Sequence, residues 1–316
     1  GSSCKIITPP PQGGTGLQVP HIIKTSEQRM KDIVEIYSKF CKDKGVEFQL
    51  DDTVCPYDNT TLFCPAGMQQ FKGKFNSEET GTLANVQSCI RMNDLEEIGD
   101  GTHYLYFDMI GLFSFRSMSV QQAVDFWMEF LEDILEIKVD YITIHPDKLE
   151  EWKSLYDNYD VEIREDEECK WTDGQIGGYC TEFYKDDVEI GNIVNPLGSC
   201  IDVGFGLQRL NMFVNGRNEE TKEEILVLTC EKLLYSGYYP SNKEQGYVFR
   251  KLLRELYRTQ STWDNEHYQK EKERQDKVIK RYNKDKVKAK YQGKSKEWWF
   301  DTMGVDIDFI ESIKNK

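Results

Sequence analysis

Histidine is scarce in this sequence, proline is thin, and cysteine never pairs at short range. Its 316 residues hold four histidines, nine prolines and nine cysteines, with no C-x-x-C spacing. Without paired thiols and with so few imidazoles, a structural zinc site is not expected. An odd, scattered set of cysteines also excludes a disulfide framework and fits a reducing, cytoplasm-like compartment. No apolar run approaches the ~20 residues of a membrane span, so no membrane partner is expected. Lys5 is followed only by Ile6 and Ile7 before a Pro- and Gly-rich stretch, which is not the pattern of a signal peptide. Internal repeats and low-complexity tracts are absent, and Gly1-Ser2-Ser3 reads as a tag scar.

What is present describes an ordinary folded chain, 39% hydrophobic and 30% charged. Its length accommodates one large domain with a smaller one beside it. The formal net charge of −15 by itself speaks against a nucleic-acid partner, but its distribution does not. Residues 250–296 carry 16 Lys and Arg against 7 Asp and Glu, a local +9 that leaves −24 on the remainder. Such a segment is either a solvated helical face or a surface for a polyanion, whose phosphates feel the field within about a Debye length.

Residues 8–20 read as an irregular arm. Thr25 and Gln28 resemble a capping box, and Met30, Ile33, Val34, Tyr37, Phe40 and Cys41 recur at helical spacing up to Gly45. Strand-like runs follow at Thr61–Cys64, Val86–Arg91, Tyr104–Met109, Tyr141–His145, Tyr179–Tyr184 and Cys200–Phe205. A second helix is expected over Val120–Leu135, loop or helix over 150–170, and another helix from Gly206. Beyond Lys222 the pattern is almost wholly helical, through Ile225–Leu234 and Tyr247–Tyr257 to a charged stretch ending near Lys290. Strands before residue 206 and helices after it predict an α+β body followed by an all-helical module. The expected divisions are an arm over 1–24, a body over 25–220 and a helical part over 221–316, with Asn215-Gly216 near the boundary.

Four segments carry chemistry in a fixed order: Asp58–Lys72, Cys89–Phe115, Trp171–Val194 and Asp202–Arg209. An arginine at a strand end (Arg91) and a histidine at the start of the next (His103) can grip phosphate oxygens from one side. Arg209, at a Gly-rich strand–helix junction, can grip them from the other. Displacement at phosphorus by a carboxylate needs positioning and charge neutralisation, which two opposed arginines and Mg²⁺ supply. Asp202, followed by Gly204 and Gly206, suits an α-ammonium group. Taken singly each feature has a blander reading: a tight turn for the glycines, surface ion pairs for the arginines, a structural histidine, a partly buried tryptophan.

In their order and spacing the four segments resemble alanyl-tRNA synthetases. Asp58-Asn-Thr-Thr-Leu-Phe-Cys-Pro-Ala-Gly-Met-Gln-Gln-Phe-Lys72 is similar to the family's D-x-T-L-L-F-x-N-A-G-M-x-Q-F-K, and Asp202-Val-Gly-Phe-Gly-Leu-Gln-Arg209 to its D-x-G-x-G-x-E-R. The resemblance implies a class II synthetase fold, an antiparallel sheet flanked by helices. It implies that Arg91 meets the ATP α-phosphate and the amino-acid carboxylate, His103 the triphosphate and Arg209 the γ-phosphate, with Phe107 and Met109 on the adenine-facing strand. Trp171, Asn192, Val194, Asp202 and Gly204 match the family's pocket for a small amino acid. Pro240–Arg254 and Phe300–Phe309 resemble its tRNA-recognition segments, which implies contact of Asn242 and Asp308 with the G3·U70 pair of the acceptor stem and places Arg250 and Arg254 near phosphates.

The sequence also departs from the family. The loop after Arg91 is four residues short, Asp108 and Gln208 stand where the family has glutamates, Gly191 replaces a Trp and Asn195 a Phe, which predicts a looser pocket wall. The expected activity is that of a cytoplasmic alanine–tRNA ligase without an editing domain, using ATP with Mg²⁺, alanine and tRNA(Ala), with no protein metal ligand assigned. The alternatives are a ligase that passes a small aminoacyl-adenylate to a non-tRNA acceptor, favoured by the short loop, and a non-catalytic RNA-binding paralogue.

Overall fold

Period-two alternation decides which way each strand faces, and it divides this protein into a helix-packed side and a cleft side. The computed structural model describes residues 33–314, apart from 94, 173, 175 and 217–219. The expected arm, the Thr25 cap and Met30 lie outside the described residues. Helix α1 covers residues 33–43 and ends at Gly45, whose φ of +71° is a conformation glycine adopts without penalty. Strand β1 (Glu47–Asp51), a short helix α2 (Lys72–Phe75), β2 (Gly81–Ile90) and β3 (Tyr106–Phe115) follow. Helix α3 (Val120–Met128) opens on a capping box of Ser119 and Gln122 and continues as a π-helix over Glu129–Ile134. Next come β4 (Tyr141–Ile144), the one-turn α4 (Leu149–Trp152), β5 (Glu162–Glu165), β6 (Lys170–Thr172), β7 (Gly177–Lys185), β8 (Val188–Val194) and β9 (Cys200–Gly206). The chain then turns helical: α5 (Leu207–Asn215), α6 (Lys222–Tyr235), α7 (Glu244–Arg258), α8 (Glu266–Asp285), α9 (Lys296–Met303) and α10 (Ile307–Lys314).

The nine-stranded sheet runs β1-β2-β3-β9-β8-β7-β4-β5, with β6 paired to β7. Its central pairs are antiparallel, and only the edge pairs β1–β2 and β4–β5 are parallel. This is an α+β fold of a sheet flanked by helices, followed by a helical part, as the segment pattern predicts. On one face Ile110, Leu112, Ile193, Val203 and Phe205 meet α1 and α3 in the main core. Trp127 anchors it: its ring stacks on Phe205 at 4.4 Å and on Tyr37 at 5.4 Å. The Tyr37 hydroxyl donates to the Gly111 carbonyl at 2.9 Å, so the aromatic stack is also pinned to the middle of the sheet. On the opposite face, Met109, Gly111, Val194, Asp202 and Gly204 look out into a cleft.

Helix α6 starts at a capping box of Thr221 and Glu224. Its Ile225, Leu226 and Leu233 share one apolar cluster with Leu252 and Leu256 of α7, Tyr268 of α8, and Ile90, Leu95 and Leu105 around β2 and β3. A separate cluster of Trp299, Val305, Phe309 and Ile310 holds α9 and α10 together.

Several local expectations need correction. Thr61–Cys64 is a loop, held by the Cys64 amide on the Val54 carbonyl and the Ile90 amide on the Cys64 carbonyl, each at 3.0 Å. Residues 150–170 are not free of strand, because β5 lies within them. Its Glu162-Ile-Arg-Glu165 sequence is a charged edge strand, which alternation of apolar residues does not reveal. Strands β1 and β8 were also without a clear signal; β8 carries Gly191 and Asn192, both poor strand formers. The charged helix ends at Asp285 and not near Lys290.

Candidate active site

The cleft holds about 340 Å³ and is lined by strands β3, β6, β7, β8 and β9, by loop residues before β2 and β3, and by the start of α5. Register explains its lining. Val194 pairs with Asp202 and Asn192 with Gly204, while Gly111 pairs with Gly204 and Phe113 with Asp202. These residues therefore share the side of the sheet away from the helices. Residues 66–68, Arg91 just after β2, residues 102–104 in the loop before β3, and the start of α5 close the rim.

All ten residues expected to take nucleotide or amino acid line this one cleft: Arg91, His103, Phe107, Met109, Trp171, Asn192, Val194, Asp202, Gly204 and Arg209. Arg91 follows β2, donates from Nε to the Pro65 carbonyl at 2.9 Å, and lies 5.0 Å from the Phe107 ring centroid. Arg209, in the first turn of α5, donates to the Glu189 carbonyl at 2.7 Å, with the Glu189 carboxylate 3.8 Å away. His103 stands between two carboxylates, Asp100 at 2.5 Å and Glu97 at 3.2 Å. Although burial raises it, the Asp100 carboxyl is held below its usual range by the Thr102 amide and the His103 ring. Burial and the neighbouring Glu220 push the Tyr104 phenol up, against the opposing effect of Arg209, so Tyr104 remains a neutral hydroxyl at neutral pH. Asp202 is only 9% exposed.

A Cβ on Gly204 would sit 2.5 Å from the Met109 methyl, so the bare backbone leaves room in the cleft for the Met109 side chain. Gly191 does not loosen the wall. Its missing side chain would point to the helix-packed face, 2.4 Å from the Phe205 ring, and Phe205 fills that volume. Asn195 is likewise fixed, donating to the Cys200 carbonyl at 2.8 Å. The Asp108 carboxylate accepts from the Ser88 hydroxyl at 2.7 Å and the Tyr106 hydroxyl at 2.8 Å. The Gln208 side-chain carbonyl accepts from the Asp108 amide at 3.0 Å.

Glu182, Glu189, Thr102 and Tyr104 also line the cleft, and sequence reasoning gave them no role. The signal for Glu182 was its place in β7 opposite Asn192, visible only once β8 is recognised. Burial and the charge of Glu189 push the Glu182 carboxyl up. Among the described residues, one three-member group could hold a metal ion: Cys169, Cys180 and Glu182, with ligand atoms within 4.8 Å of one another.

The residues expected to face RNA lie elsewhere and do not converge. Asn242 precedes α7 and accepts from the Arg250 guanidinium. Arg250 also donates from Nε to Glu271 at 2.9 Å, and Arg254 lies 5.9 Å from the Tyr247 ring centroid. Asp308, on α10, pairs with Lys296 of α9, and Phe309 beside it packs against Tyr257 and Arg258 at the far end of α7. Asn242 and Asp308 thus stand toward opposite ends of a 15-residue helix, about 22 Å long at 1.5 Å per residue.

The chain belongs to the class II tRNA synthetases: the family model described as "tRNA synthetases class II (A)" matches residues 32–192. Within that class it is similar to alanine–tRNA ligases. That of Endomicrobium trichonymphae is 30% identical over 294 residues, covering 69% of this chain and 33% of the relative. That of Legionella pneumophila (strain Corby) is 25% identical over 307 residues, covering 73% and 36%. The chain therefore spans about a third of the length of these curated relatives. Among solved structures, apo S. aureus histidyl-tRNA synthetase aligns with 79% of this chain and 88% of its own, at 10% identity and a TM-score of 0.38. Among the described residues no helix is long and apolar enough to cross a membrane.

Proposed function

We propose that this protein activates alanine with ATP and transfers the alanyl group to the 3′ end of tRNA(Ala). In the first step the alanine carboxylate attacks the α-phosphorus, forming alanyl-adenylate and releasing pyrophosphate. Arg91 neutralises charge at the α-phosphate and the carboxylate, His103 and Arg209 hold the outer phosphates, and Phe107 and Met109 flank the adenine. Asp202 takes the ammonium group, while Trp171, Asn192 and Val194 limit the side chain to a small one. Magnesium arrives with ATP. In the second step a ribose hydroxyl at the tRNA 3′ end attacks the acyl carbonyl and AMP departs. Catalysis in such a site is positioning and charge neutralisation, which fixed arginines on strand and helix ends provide.

The observation that carries this reading is the meeting of Arg91, Arg209 and Asp202, from three separate sequence segments, in one cleft. For the helical part, which we take to begin near residue 221, the basic stretch over 250–296 supports an RNA-facing surface. Asn242 and Asp308, at opposite ends of α7, would meet the acceptor stem from two sides, with Arg250 and Arg254 near its backbone.

The short connection after Arg91 favours one rival, delivery of the same adenylate to a non-tRNA acceptor. ATP–pyrophosphate exchange across the twenty amino acids, followed by charging of a G3·U70 minihelix, separates the two. Exchange with alanine plus charging supports the ligase; exchange without charging moves the acceptor elsewhere; absence of exchange overturns both.

A further inference from the structure

The three-residue group beside the cleft lies outside the amino-acid activation chemistry, and its geometry is that of a ligand set. Strands β6 and β7 pair Lys170 with Tyr179, so the next residues outward, Cys169 and Cys180, stand opposite each other. The Cys180 amide closes that end on the Cys169 carbonyl at 3.0 Å. Glu182 lies two residues further along β7, on the same face as Cys180, opposite Thr143 of β4. Ten residues of sequence lie between the two thiols, which hides them from a spacing search; the antiparallel turn brings them together.

We propose that Cys169, Cys180 and Glu182 form a binding site for a thiophilic divalent cation, of which zinc is the type. Two sulfur donors select such an ion over magnesium or calcium, which take oxygen. A tetrahedral centre with metal–sulfur bonds of about 2.3 Å and metal–oxygen bonds of about 2.1 Å spaces its ligand atoms roughly 3.5–3.8 Å apart. The three donor atoms already lie within 4.8 Å of one another, so closure asks for a shift of about 1 Å. Both ends of the set are braced from behind. The Thr143 hydroxyl is hydrogen-bonded to the Cys169 sulfur at 2.9 Å, and the Tyr184 hydroxyl donates to Glu182 at 2.8 Å. Partners of this kind orient ligands in metal sites.

The two cysteines are fully buried, packed with Val194 and Trp171, whereas Glu182 is half-buried and lines the cleft. Three protein donors on one side leave the fourth position directed toward the cleft, the pattern of an ion that accepts an outside ligand. The ion would also tie β6, which carries Trp171, to the middle of β7.

The test is metal content, which is independent of aminoacylation. The whole protein, purified under reducing conditions without chelators, is dialysed against zinc-free buffer and its zinc measured by elemental analysis. A parallel sample stripped of metal is titrated with Co²⁺. Near-stoichiometric zinc, and a sulfur-to-cobalt charge-transfer band that is lost in Cys180→Ser but kept in Cys55→Ser, are expected. Should Cys180→Ser fail to fold, Glu182→Gln serves instead. Loss of even an outer partner costs about 10–100-fold in affinity, so loss of this carboxylate is expected to cost at least about tenfold. Zinc no higher than in the variants, cobalt without a charge-transfer band, or a thiol count showing Cys169 and Cys180 joined in a disulfide in the unreduced protein would each overturn the site.

Discussion

Asp202→Asn offers the sharpest examination of the cleft. The substitution keeps the shape of the side chain and removes its charge. Sheet pairing with Val194 on one side and Phe113 on the other fixes the direction of the residue, and only 9% of it is exposed. A carboxylate and an ammonium 4 Å apart at an effective dielectric of 20 attract by about 4 kcal/mol, which sets a ceiling. A hydrogen bond to a charged group contributes roughly 1.5–3 kcal/mol net. At about 1.4 kcal/mol per tenfold, kcat/KM for alanine should fall roughly 10- to 150-fold. Glycine and serine carry the same ammonium and should lose by the same factor, while the KM for ATP should stay within about twofold because Asp202 is not assigned to the nucleotide. ATP–pyrophosphate exchange at varied alanine and varied ATP reads both quantities, with thermal unfolding as the control for folding. Unchanged kcat/KM for alanine, or a loss that appears in the KM for ATP instead, would refute the assignment of Asp202 to the amino acid.

Four further outcomes are expected. Trp127→Ala removes the ring between Phe205 and Tyr37 and should cost about 3–5 kcal/mol in denaturant unfolding; a cost under about 1 kcal/mol would show that the stack is not an anchor. Gly178→Ala places a Cβ 2.2 Å from the Asn195 carbonyl oxygen, a backbone atom that cannot swing aside, so soluble yield and unfolding midpoint should both drop. Burial opposes it, yet the Lys185 ammonium and the Asp186 amide hold the Asp140 carboxyl below its ordinary value. Its stabilisation is therefore present above the unfolded-state pKa and is lost as pH falls through the lower folded one. At this half-exposed pair the effect should be under about 1 kcal/mol, and Lys185→Met should flatten that part of an unfolding free energy measured from pH 7 down to about pH 3. Asn242→Ala combined with Asp308→Ala should leave pyrophosphate exchange intact and depress charging of a G3·U70 minihelix; equal charging would remove both residues from recognition.

The sequence was most legible where residue identity and spacing do the chemical work. The meeting of Arg91, His103, Asp202 and Arg209 in one cleft was legible from the order and spacing of four segments taken together, since each residue alone had a blander reading. The helices were legible through their apolar period, from Ile33 to Cys41 and from Tyr247 to Tyr257. Edge strands were not: the residues of β5 are charged and those of β1 half-exposed, so neither face of either strand advertises burial. Gly191 shows a different limit. Compared position by position it looks like a hole in the pocket wall, but its empty volume belongs to the other face of the sheet and Phe205 occupies it. Pairing register decides such a question, and register is a long-range property. The Cys169–Cys180 apposition was hidden for the same reason.

The cluster beneath α6 has a consequence for how the two halves communicate. Ile90 and Leu105, one residue from Arg91 and two from His103, are packed into the same apolar body as α6, α7 and α8. Arg91, His103 and the helices therefore rest on a common solid support, and close-packed interiors transmit displacement instead of absorbing it. On the proposed function, a ligand that stiffens the helices would lower the entropic cost of ordering Arg91 and His103 around a nucleotide. Thermodynamic linkage makes the exchange symmetric: whatever factor a bound polyanion adds to nucleotide affinity, bound nucleotide returns to the polyanion.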